Sequence, residues 1–386
     1  MLALTVIIHF IAAGLLMALM NWAGLERWRR AADAHWTERA RLLWPVRFTA
    51  ALGIFFVPFL LNLAHTVLFP EDDVCWLVLA VAGVGGAVLG CYPLDRKIFP
   101  QLNFTGWRRQ IVALWGIRFG IWAALVAGCI LMPAEFGGRM ILVAVGYLFF
   151  HALFNWGLFL RWLRLIKFLR PPDARLQNIV DVVTAKMGGA KVRATWRMDG
   201  SLATAFALPT TRELVFSDRM LEICTDEEVS AICAHEVAHL KESKAVLTGR
   251  LFGSLTLFPL IFINPLTQRF GLWGLLIAYA LVFVMMRFAK SLSLRMEKRA
   301  DALALQEQTD EGVYARALEK LYRDSQTPAV NVNNRQTHPH LYDRMLAAGI
   351  TPDFPRPARP KRLTPVGWTL LCAFFYLIVL SAWATE

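Results

Sequence analysis

Long apolar runs separated by short polar connections dominate the hydrophobic pattern of the chain. A membrane-spanning helix needs roughly 20 consecutive apolar residues. Runs near this length cover about residues 2–21, 46–69, 74–92, 110–132, 140–160, 246–263, 272–289 and 366–383. The sixth run is interrupted by Arg250, Pro259 and Pro265, so it is the least regular of the eight. The pattern predicts a mainly α-helical, polytopic membrane protein.

Two long polar stretches, about 161–245 and 290–350, flank the sixth and seventh apolar runs. We interpret them as one soluble α+β domain that is interrupted by a membrane hairpin over 246–289. In the first stretch, hydrophobic periodicity predicts a helix near 174–187 and strands near 191–198, 203–208 and 213–217. The predicted domain is therefore mostly helical with a small sheet.

The remaining segments complete the predicted domain organisation. Residues 1–160 form an N-terminal membrane region of five spans, with a basic interfacial loop at 22–45. A Pro-rich linker over 351–365 leads to a C-terminal span within 366–386. Inside the third span, Gly86 and Gly90 have Gly-x-x-x-Gly spacing, which predicts close helix packing.

Composition supports a membrane protein and argues against a nucleic-acid-binding protein. Hydrophobic residues make up 56% of the chain and charged residues 18%, whereas a soluble domain is nearer half apolar and a quarter charged. The net charge of +12 is concentrated in the polar connections, and eight alternating spans put every strongly basic connection on one side. Because Lys and Arg collect on the cytoplasmic side, the soluble domain is predicted to be cytoplasmic, with both termini outside.

The segment His235-Glu236-Val237-Ala238-His239 carries metal-site chemistry. It follows a capping box at Thr225–Glu228, which predicts the start of a helix. With ~3.6 residues per turn, the two histidines lie about 40° apart on one helix face and can bind one ion. Glu236 then lies beside the metal, where a carboxylate suits a general base acting on water. Chance alone produces this motif in on the order of one per cent of such chains, so it needs support from elsewhere.

A second acidic pair supplies that support. Glu297 and Asp301 lie four positions apart on a helix-favouring stretch beyond the membrane hairpin. A catalytic zinc usually has three protein ligands and one open position, so Glu297 is the predicted third ligand. Asp301 is expected to accept the outer N–H of a ligating histidine. Alone the pair also fits a solvated helix face, but with the two histidines it predicts one Zn²⁺ per chain.

Four segments together resemble peptidase family M48, a family of membrane metallopeptidases with HtpX-like and Ste24-like members. The helix of His235 and the segment Glu297–Asp301 are similar to the family's H-E-x-x-H and E-x-x-A-D motifs. Thr204-Ala205-Phe206-Ala207 is similar to the family's N-A-F-A edge strand, which lies along the substrate. Thr337–Leu341 with Arg344 is similar to the late T-H-P-P-L-x-x-R segment. The resemblance covers about residues 165–350, including the inserted hairpin.

The resemblance implies hydrolysis of peptide bonds in membrane or membrane-adjacent polypeptides, as in HtpX-like quality control or Ste24-like processing. An extended substrate is expected to pair with the edge strand by β-augmentation. His338 and Arg344 are the predicted donors to the oxyanion, with Tyr342 as a weaker candidate. Thr204 replaces the family's Asn and His340 replaces its second Pro, so substrate contacts at both positions can differ from those of the family.

Two other functions fit parts of the pattern. A sensor protease resembling the M56 membrane peptidases needs an extracytoplasmic domain, whereas the predicted outer loops are short. A zinc transporter needs ligands within the spans, whereas the H-E-x-x-H segment lies among charged residues. A non-catalytic scaffold conflicts with a complete ligand set beside Glu236. We therefore expect a zinc endopeptidase in a bacterial inner membrane, with a cytoplasmic active site, polypeptide substrates and no nucleic-acid partner.

Overall fold

The computed structural model describes residues 2–69, 71, 74–308, 310–332 and 339–383, and the chain is mainly helical. In chain order the α-helices are α1 Leu2–Gly24, α2 Glu26–Arg30, α3 Trp36–Leu68, α4 Trp76–Leu89, α5 Tyr92–Ile98, α6 Phe104–Leu131, α7 Gly138–Leu153, α8 Phe159–Leu165, α9 Ala174–Lys186, α10 Asp218–Ile223, α11 Asp226–Leu240, α12 Lys244–Ser254, α13 Ile263–Phe270, α14 Leu272–Glu307, α15 Val313–Asp324, α16 Leu341–Ala347 and α17 Pro365–Trp383. A π-helical segment covers Phe154–Leu158 and a 3-10 segment covers Phe258–Phe262. The strands are β1 Leu169–Arg170, β2 Ala194–Met198, β3 Ala205–Leu208 and β4 Glu213–Ser217.

Five helical segments in the described part of the chain are long and apolar enough to cross a membrane. They are Leu2–Arg30, Trp36–Leu68, Trp76–Ile98, Gly138–Leu165 and Leu272–Glu307. Two further pairs are each bent by 42°, and the number rises to seven if each counts as one span: Phe104–Gly116 with Gly120–Leu131, and Lys244–Ser254 with Phe258–Phe270. The eighth predicted run corresponds to α17, where Pro365–Tyr376 is a shorter apolar helix. Each predicted run thus contains a helix, and the irregularity expected of the sixth is confirmed as a bend.

The basic segment at 22–45, predicted as an interfacial loop, is mostly helical. α1 continues to Gly24, α2 follows at once, and α3 begins at Trp36. Charged pairs at helical spacing support this polar part, such as Arg30 with Glu26 at 2.9 Å. Hydrophobicity detects the apolar part of a helix only, so the prediction placed the helix ends too far inside the apolar runs.

Residue contacts divide the chain into two compact units. The first contains residues 1–107, 322–332 and 353–386, and the second contains 108–321 and 333–352. The helices α7 and α8 and most of α6 therefore belong to the unit that carries the soluble elements. The domain boundaries predicted from the sequence, with a division at residue 160, stay a prediction.

In the first unit, α1 packs closely against α4, and α3 packs against α1, α4 and α17. A Cβ atom on Gly86 would collide with the carbonyl of Phe10, and one on Gly90 with the carbonyl of Gly14. The two backbones can approach this closely because these positions carry no side chain. The close packing predicted from the Gly-x-x-x-Gly spacing is confirmed.

The second unit contains a four-stranded sheet with the strand order β1-β2-β4-β3. β4 is buried along its whole length and pairs in parallel with β2 and antiparallel with β3. On one side of the sheet, Val215 of β4 lies in a buried cluster with Leu160 and Leu163 of α8 and Ala113 of α6. The strands match the predicted runs, and β3 lies at an edge of the sheet, as expected for residues 204–207.

The helix α11 is buried between α9, α14 and β3 in the second unit. Its capping box forms as predicted, because the Thr225 hydroxyl accepts from the Glu228 N–H at 3.4 Å and the Glu228 carboxylate accepts from the Thr225 N–H at 2.9 Å. Lys320 of α15 donates to the same carboxylate at 2.7 Å. The capping box stabilises the start of α11, and the Lys320 contact holds α15 against that end of the helix.

Candidate metal centre and active site

The helices α11 and α14 bring three metal-binding side chains together. His235 and His239 lie one turn apart on α11, and the Nε2 atoms of both face Glu297 of α14. Nε2 of His235 is 3.4 Å from Oε2 of Glu297, and Nε2 of His239 is 3.6 Å from Oε1. The two imidazole planes are nearly perpendicular, at 86°. The three residues predicted as metal ligands are thus neighbours.

This donor set fits a zinc ion. One ligand atom from each residue lies within 4.8 Å of the others, and all three side chains are buried. Zinc binds nitrogen and oxygen at about 2.0–2.2 Å, so two ligands of a tetrahedral ion lie about 3.4 Å apart. The measured separations of 3.4 and 3.6 Å agree with that value. Two imidazoles and one carboxylate are a usual protein ligand set of catalytic zinc, which leaves one position open.

A polar network supports the outer nitrogen of His235. Nδ1 lies 2.8 Å from the Tyr314 hydroxyl and 3.1 Å from Oδ1 of Asp301. Tyr314 donates to the same Asp301 oxygen at 2.6 Å. Burial raises the pKa of Tyr314 well above its usual value, so the phenol keeps its proton. Arg344 donates to both oxygens of Asp301. Acceptors at Nδ1 favour the tautomer that directs the Nε2 lone pair towards the donor set.

His239 has a separate support. Its Nδ1 lies 2.9 Å from Oε1 of Glu242, whose carboxylate is fully buried. Arg250 of α12 donates to the same Glu242 oxygen at 2.6 Å and so balances the charge of the carboxylate. A carboxylate and an arginine therefore support each histidine. Asp301 and Arg344 support His235. Glu242 and Arg250 support His239.

The centre carries an excess of negative charge that favours a bound cation. Burial opposes protonation of His235, but hydrogen bonds to Asp301 and Glu297 and the charge of Glu236 outweigh it and raise the pKa of His235 to about 9. Several carboxylates in a buried site are costly unless positive charge offsets them. A divalent metal at the three donors supplies that charge.

Glu236 is buried in α11, directly after His235 in the chain. One residue along a helix corresponds to a rotation of about 100°, so Glu236 lies next to the ligands rather than among them. Cys233 is fully buried, and burial followed by the charge of Glu236 raises its pKa, as expected for an inert core thiol.

The edge strand β3 packs against α11, and among the described residues no strand pairs with its outer side. The N–H of Ser217 donates to the carbonyl of Thr204 at 2.9 Å, which makes this a hydrogen-bonded pair of the antiparallel ladder. Because such pairs alternate, Phe206 also faces β4, whereas the backbone N–H and C=O groups of Ala205 and Ala207 face the open edge. The four residues predicted to bind substrate therefore form an edge that an extended peptide can extend.

A cavity of about 450 Å³ begins at the end of this strand. Ala207 and Leu208 line it on one side, and residues of α12 and α14, including Arg250 and Ser293, line it on the other. Arg250 also contacts Glu242, so the cavity and the support of His239 share a residue. The volume is in the range of a ligand pocket.

The late motif is only partly covered by the described residues. His338 lies outside them. Arg344 lies within them, and its guanidinium donates to Asp301 and to the Tyr314 hydroxyl at 2.7 Å. His340 is buried at the start of α16, and Tyr342 is half-buried in its first turn.

Three supporting residues were not predicted from the sequence: Glu242, Arg250 and Tyr314. Glu242 follows His239 by three positions, and that short spacing was a usable signal for a contact across the last turn of α11. In the sequence, Arg250 stands out only as an interruption of the sixth apolar run. Tyr314 lies 79 positions from His235 and carries no motif, so the sequence alone gave no reason to select it.

Comparisons with known proteins agree with this geometry. Residues 171–349 match the model of peptidase family M48. None of the curated protein sequences compared with the chain matches it. The crystal structure of S. mikatae Ste24p matches with a TM-score of 0.53 and 16% sequence identity, covering 89% of this chain and 98% of that chain. At this identity the likeness shows a shared fold.

The apolar helices, the helix-borne donor set and the buried glutamate beside it define an integral membrane metallopeptidase. The segment that carries the site, residues 171–349, is the part of the chain that matches peptidase family M48. The family and the mainly helical membrane architecture expected from the sequence are thereby confirmed.

Proposed function

We propose that the chain is a zinc-dependent endopeptidase that cleaves membrane or membrane-adjacent polypeptides, with one zinc ion held by His235, His239 and Glu297. The observation that carries this proposal is the continuity of α14. One unbroken helix runs from the exposed apolar residues at its start to Glu297, which lies eight residues beyond the predicted span end at 289. At ~1.5 Å per residue this is about 12 Å along the helix, so a substrate at the membrane surface is within reach.

The residues around the donor set have distinct roles in the proposed reaction. Zinc bound there supplies Lewis-acid activation of the scissile carbonyl and of a water molecule. Glu236 accepts the proton of the attacking water and later transfers it to the leaving amine. Asp301, Tyr314 and Arg344 keep His235 oriented, and Glu242 with Arg250 does the same for His239.

The substrate is proposed to bind as an additional strand beside Thr204–Leu208. Backbone hydrogen bonds to Ala205 and Ala207 give affinity without side-chain selection. The adjacent cavity then accepts one substrate side chain. His338 and Arg344 are the predicted oxyanion donors, although the bidentate contact of Arg344 with Asp301 favours a supporting role for that arginine.

The proposed test uses the full-length chain purified in detergent, with zinc content and cleavage of an unfolded polypeptide measured together. Glu236→Gln should retain zinc and lose cleavage, and Glu297→Ala should lose both. Glu227→Gln is the matched control, because Glu227 is exposed on the same helix. Equal cleavage by wild type and Glu236→Gln, or unchanged zinc content in Glu297→Ala, would contradict the mechanism.

We also propose that the active site lies on the cytoplasmic side of a bacterial inner membrane, as the distribution of basic connections predicts. A single accessible cysteine at exposed Lys186 tests this, after the exposed native cysteines Cys75, Cys129 and Cys372 are changed to serine. In intact cells a membrane-impermeant maleimide should leave that cysteine unmodified. Labelling before the membrane is disrupted would place the site outside.

Quality control and specific processing are the two forms of the proposed activity. An unfolded membrane protein and a prenylated peptide, offered to the same preparation, distinguish them. Preferred cleavage of the unfolded protein supports quality control, and preferred cleavage of the lipidated peptide supports processing.

A further inference from the structure

A second cavity, of about 530 Å³, lies in the first unit, remote in sequence from the zinc ligands. It is formed where three apolar helices end: the last turn of α1, the first turns of α3, and the segment that leads into α17. The short connection at 31–35 joins the two consecutive candidate spans Leu2–Arg30 and Trp36–Leu68, so their ends meet at one membrane face. The cavity therefore opens at a membrane–water boundary.

The mouth of the cavity is strongly basic. Four cations line it, Arg27, Arg30, Arg41 and Lys361, together with the carboxylate of Glu26, and Arg41 is paired with Glu38 outside the lining. Glu26 is already shared between Arg29 and Arg30, each at 2.9 Å. Within the described residues, Arg27 and Lys361 form no ion pair with a protein carboxylate. The cavity thus has positive charge that the described residues leave unneutralised.

Neighbouring arginines that do not line the cavity are used differently. Arg29 stacks on Trp22 at 5.0 Å and donates to its carbonyl, and Arg39 stacks on Trp28 at 4.7 Å. The guanidinium groups of Arg29 and Arg39, which lie outside the cavity lining, are thus engaged by tryptophan side chains. Of the lining cations, Arg27 and Lys361 therefore carry the positive charge that ion pairs leave available to a ligand.

The floor of the cavity is apolar and continues onto surfaces that face lipid. Leu42, Val46 and Leu363 line it, with Val46 and Leu363 buried. Ala23 of α1 also lines it, and Leu19, four positions earlier on the same helix face, is 61% exposed. An acyl chain can pack along this apolar face, whereas a small soluble anion gains no apolar contact from it.

We propose that this cavity binds one anionic phospholipid, with the phosphate among the four cations and an acyl chain along the exposed face of α1. Charge complementarity selects an anion, and the apolar floor next to a lipid-facing helix selects an amphiphile over free phosphate. The volume accommodates a glycerophosphate headgroup and is within the range of ordinary ligand pockets. The site is independent of the proposed peptidase mechanism.

The test is lipid binding by the full-length chain in detergent micelles, counted by native mass spectrometry. Dioleoylphosphatidylglycerol and dioleoylphosphatidylcholine are added separately at equal concentration, and inorganic phosphate is added as a competitor. We expect one retained phosphatidylglycerol per chain and weaker retention of phosphatidylcholine. A Lys or Arg near an anionic lipid contributes on the order of 1 kcal/mol, so Arg27→Gln with Lys361→Gln should weaken binding about 30-fold.

Two further variants make the result decisive. Arg96→Gln with Lys97→Gln removes the same charge from exposed residues that do not line the cavity, and should leave binding unchanged. Val366→Trp narrows the cavity at an exposed position without changing charge, and should weaken binding. Equal losses in the two charge variants would overturn the proposal in favour of a diffuse basic surface. Equal retention of the two lipids, or displacement of phosphatidylglycerol by inorganic phosphate, would also overturn it.

Discussion

Arg344 of α16 contacts both carboxylate oxygens of Asp301 on α14, with Nε 2.9 Å from Oδ2 and Nη2 2.6 Å from Oδ1. Asp301 in turn lies 3.1 Å from Nδ1 of His235. Through this carboxylate the guanidinium therefore supports a candidate metal ligand, although Arg344 and Asp301 are 43 positions apart in the chain. The planar guanidinium of arginine forms two parallel hydrogen bonds with a carboxylate, whereas the ammonium group of lysine cannot.

Arg344→Lys is expected to weaken zinc binding about 10- to 100-fold, the usual effect of losing an outer partner of a metal ligand. The lysine keeps the charge but makes one contact with Asp301 where arginine makes two. Competition with a chelator measures the zinc affinity. Arg316→Lys, at an exposed position of α15, is the control and should behave as wild type.

The same variant separates two roles of Arg344. If Arg344 instead donates to the oxyanion, kcat falls while zinc affinity and zinc content stay unchanged. If it orients His235, zinc affinity falls first, and excess zinc restores part of the activity. The two results cannot be confused, because one is measured without substrate.

Glu242→Gln is expected to lower zinc affinity by a similar factor of about 10 to 100. Glu242 contacts Nδ1 of His239 at 2.9 Å, and the neutral amide is a weaker acceptor for that N–H. The substitution also leaves Arg250 facing a neutral group. Exposed Glu227, on α11 itself, provides the matched Glu→Gln control. Retention of wild-type affinity in Glu242→Gln would show that the contact does not support the ligand.

The sequence identifies the three residues of this donor set more readily than the residues that support them. His235 and His239 share a helix turn, and Glu297 has its partner Asp301 four positions away, so local spacing identifies them. Tyr314 of α15 reaches the donor set through Asp301 of α14, and Arg250 of α12 reaches it through His239 of α11. Such contacts between separate helices are not encoded in the periodicity of either helix. Likewise, the apolar runs do not show where the helices end, because hydropathy does not register the polar helical residues across 22–45.

Ala205→Pro is expected to reduce kcat/KM for long peptides by about 3- to 10-fold, the worth of one backbone hydrogen bond. Its N–H faces the open edge of β3, so the substitution removes a donor to the substrate and no bond of the ladder to β4. Ala205→Ser keeps the N–H and is the control. Thermal stability of both variants should stay close to that of wild type. A loss of activity in Ala205→Pro that is matched by Ala205→Ser would point to the side chain instead.

Ser293→Phe is expected to change which substrate side chains are accepted at the cavity beside β3. Ser293 lines that cavity from α14, four residues before Glu297 and therefore on nearly the same helix face. A phenyl ring there fills space that a large substrate side chain would use, so KM should rise for peptides with bulky residues and change little for those with small ones. Ser291→Phe places the same ring on the same helix at an exposed position outside the cavity, and should leave the preference unchanged. Zinc content measured in parallel shows whether Glu297 is disturbed. An equal loss for bulky and small peptides, at full zinc content, would mean that the cavity does not hold a substrate side chain.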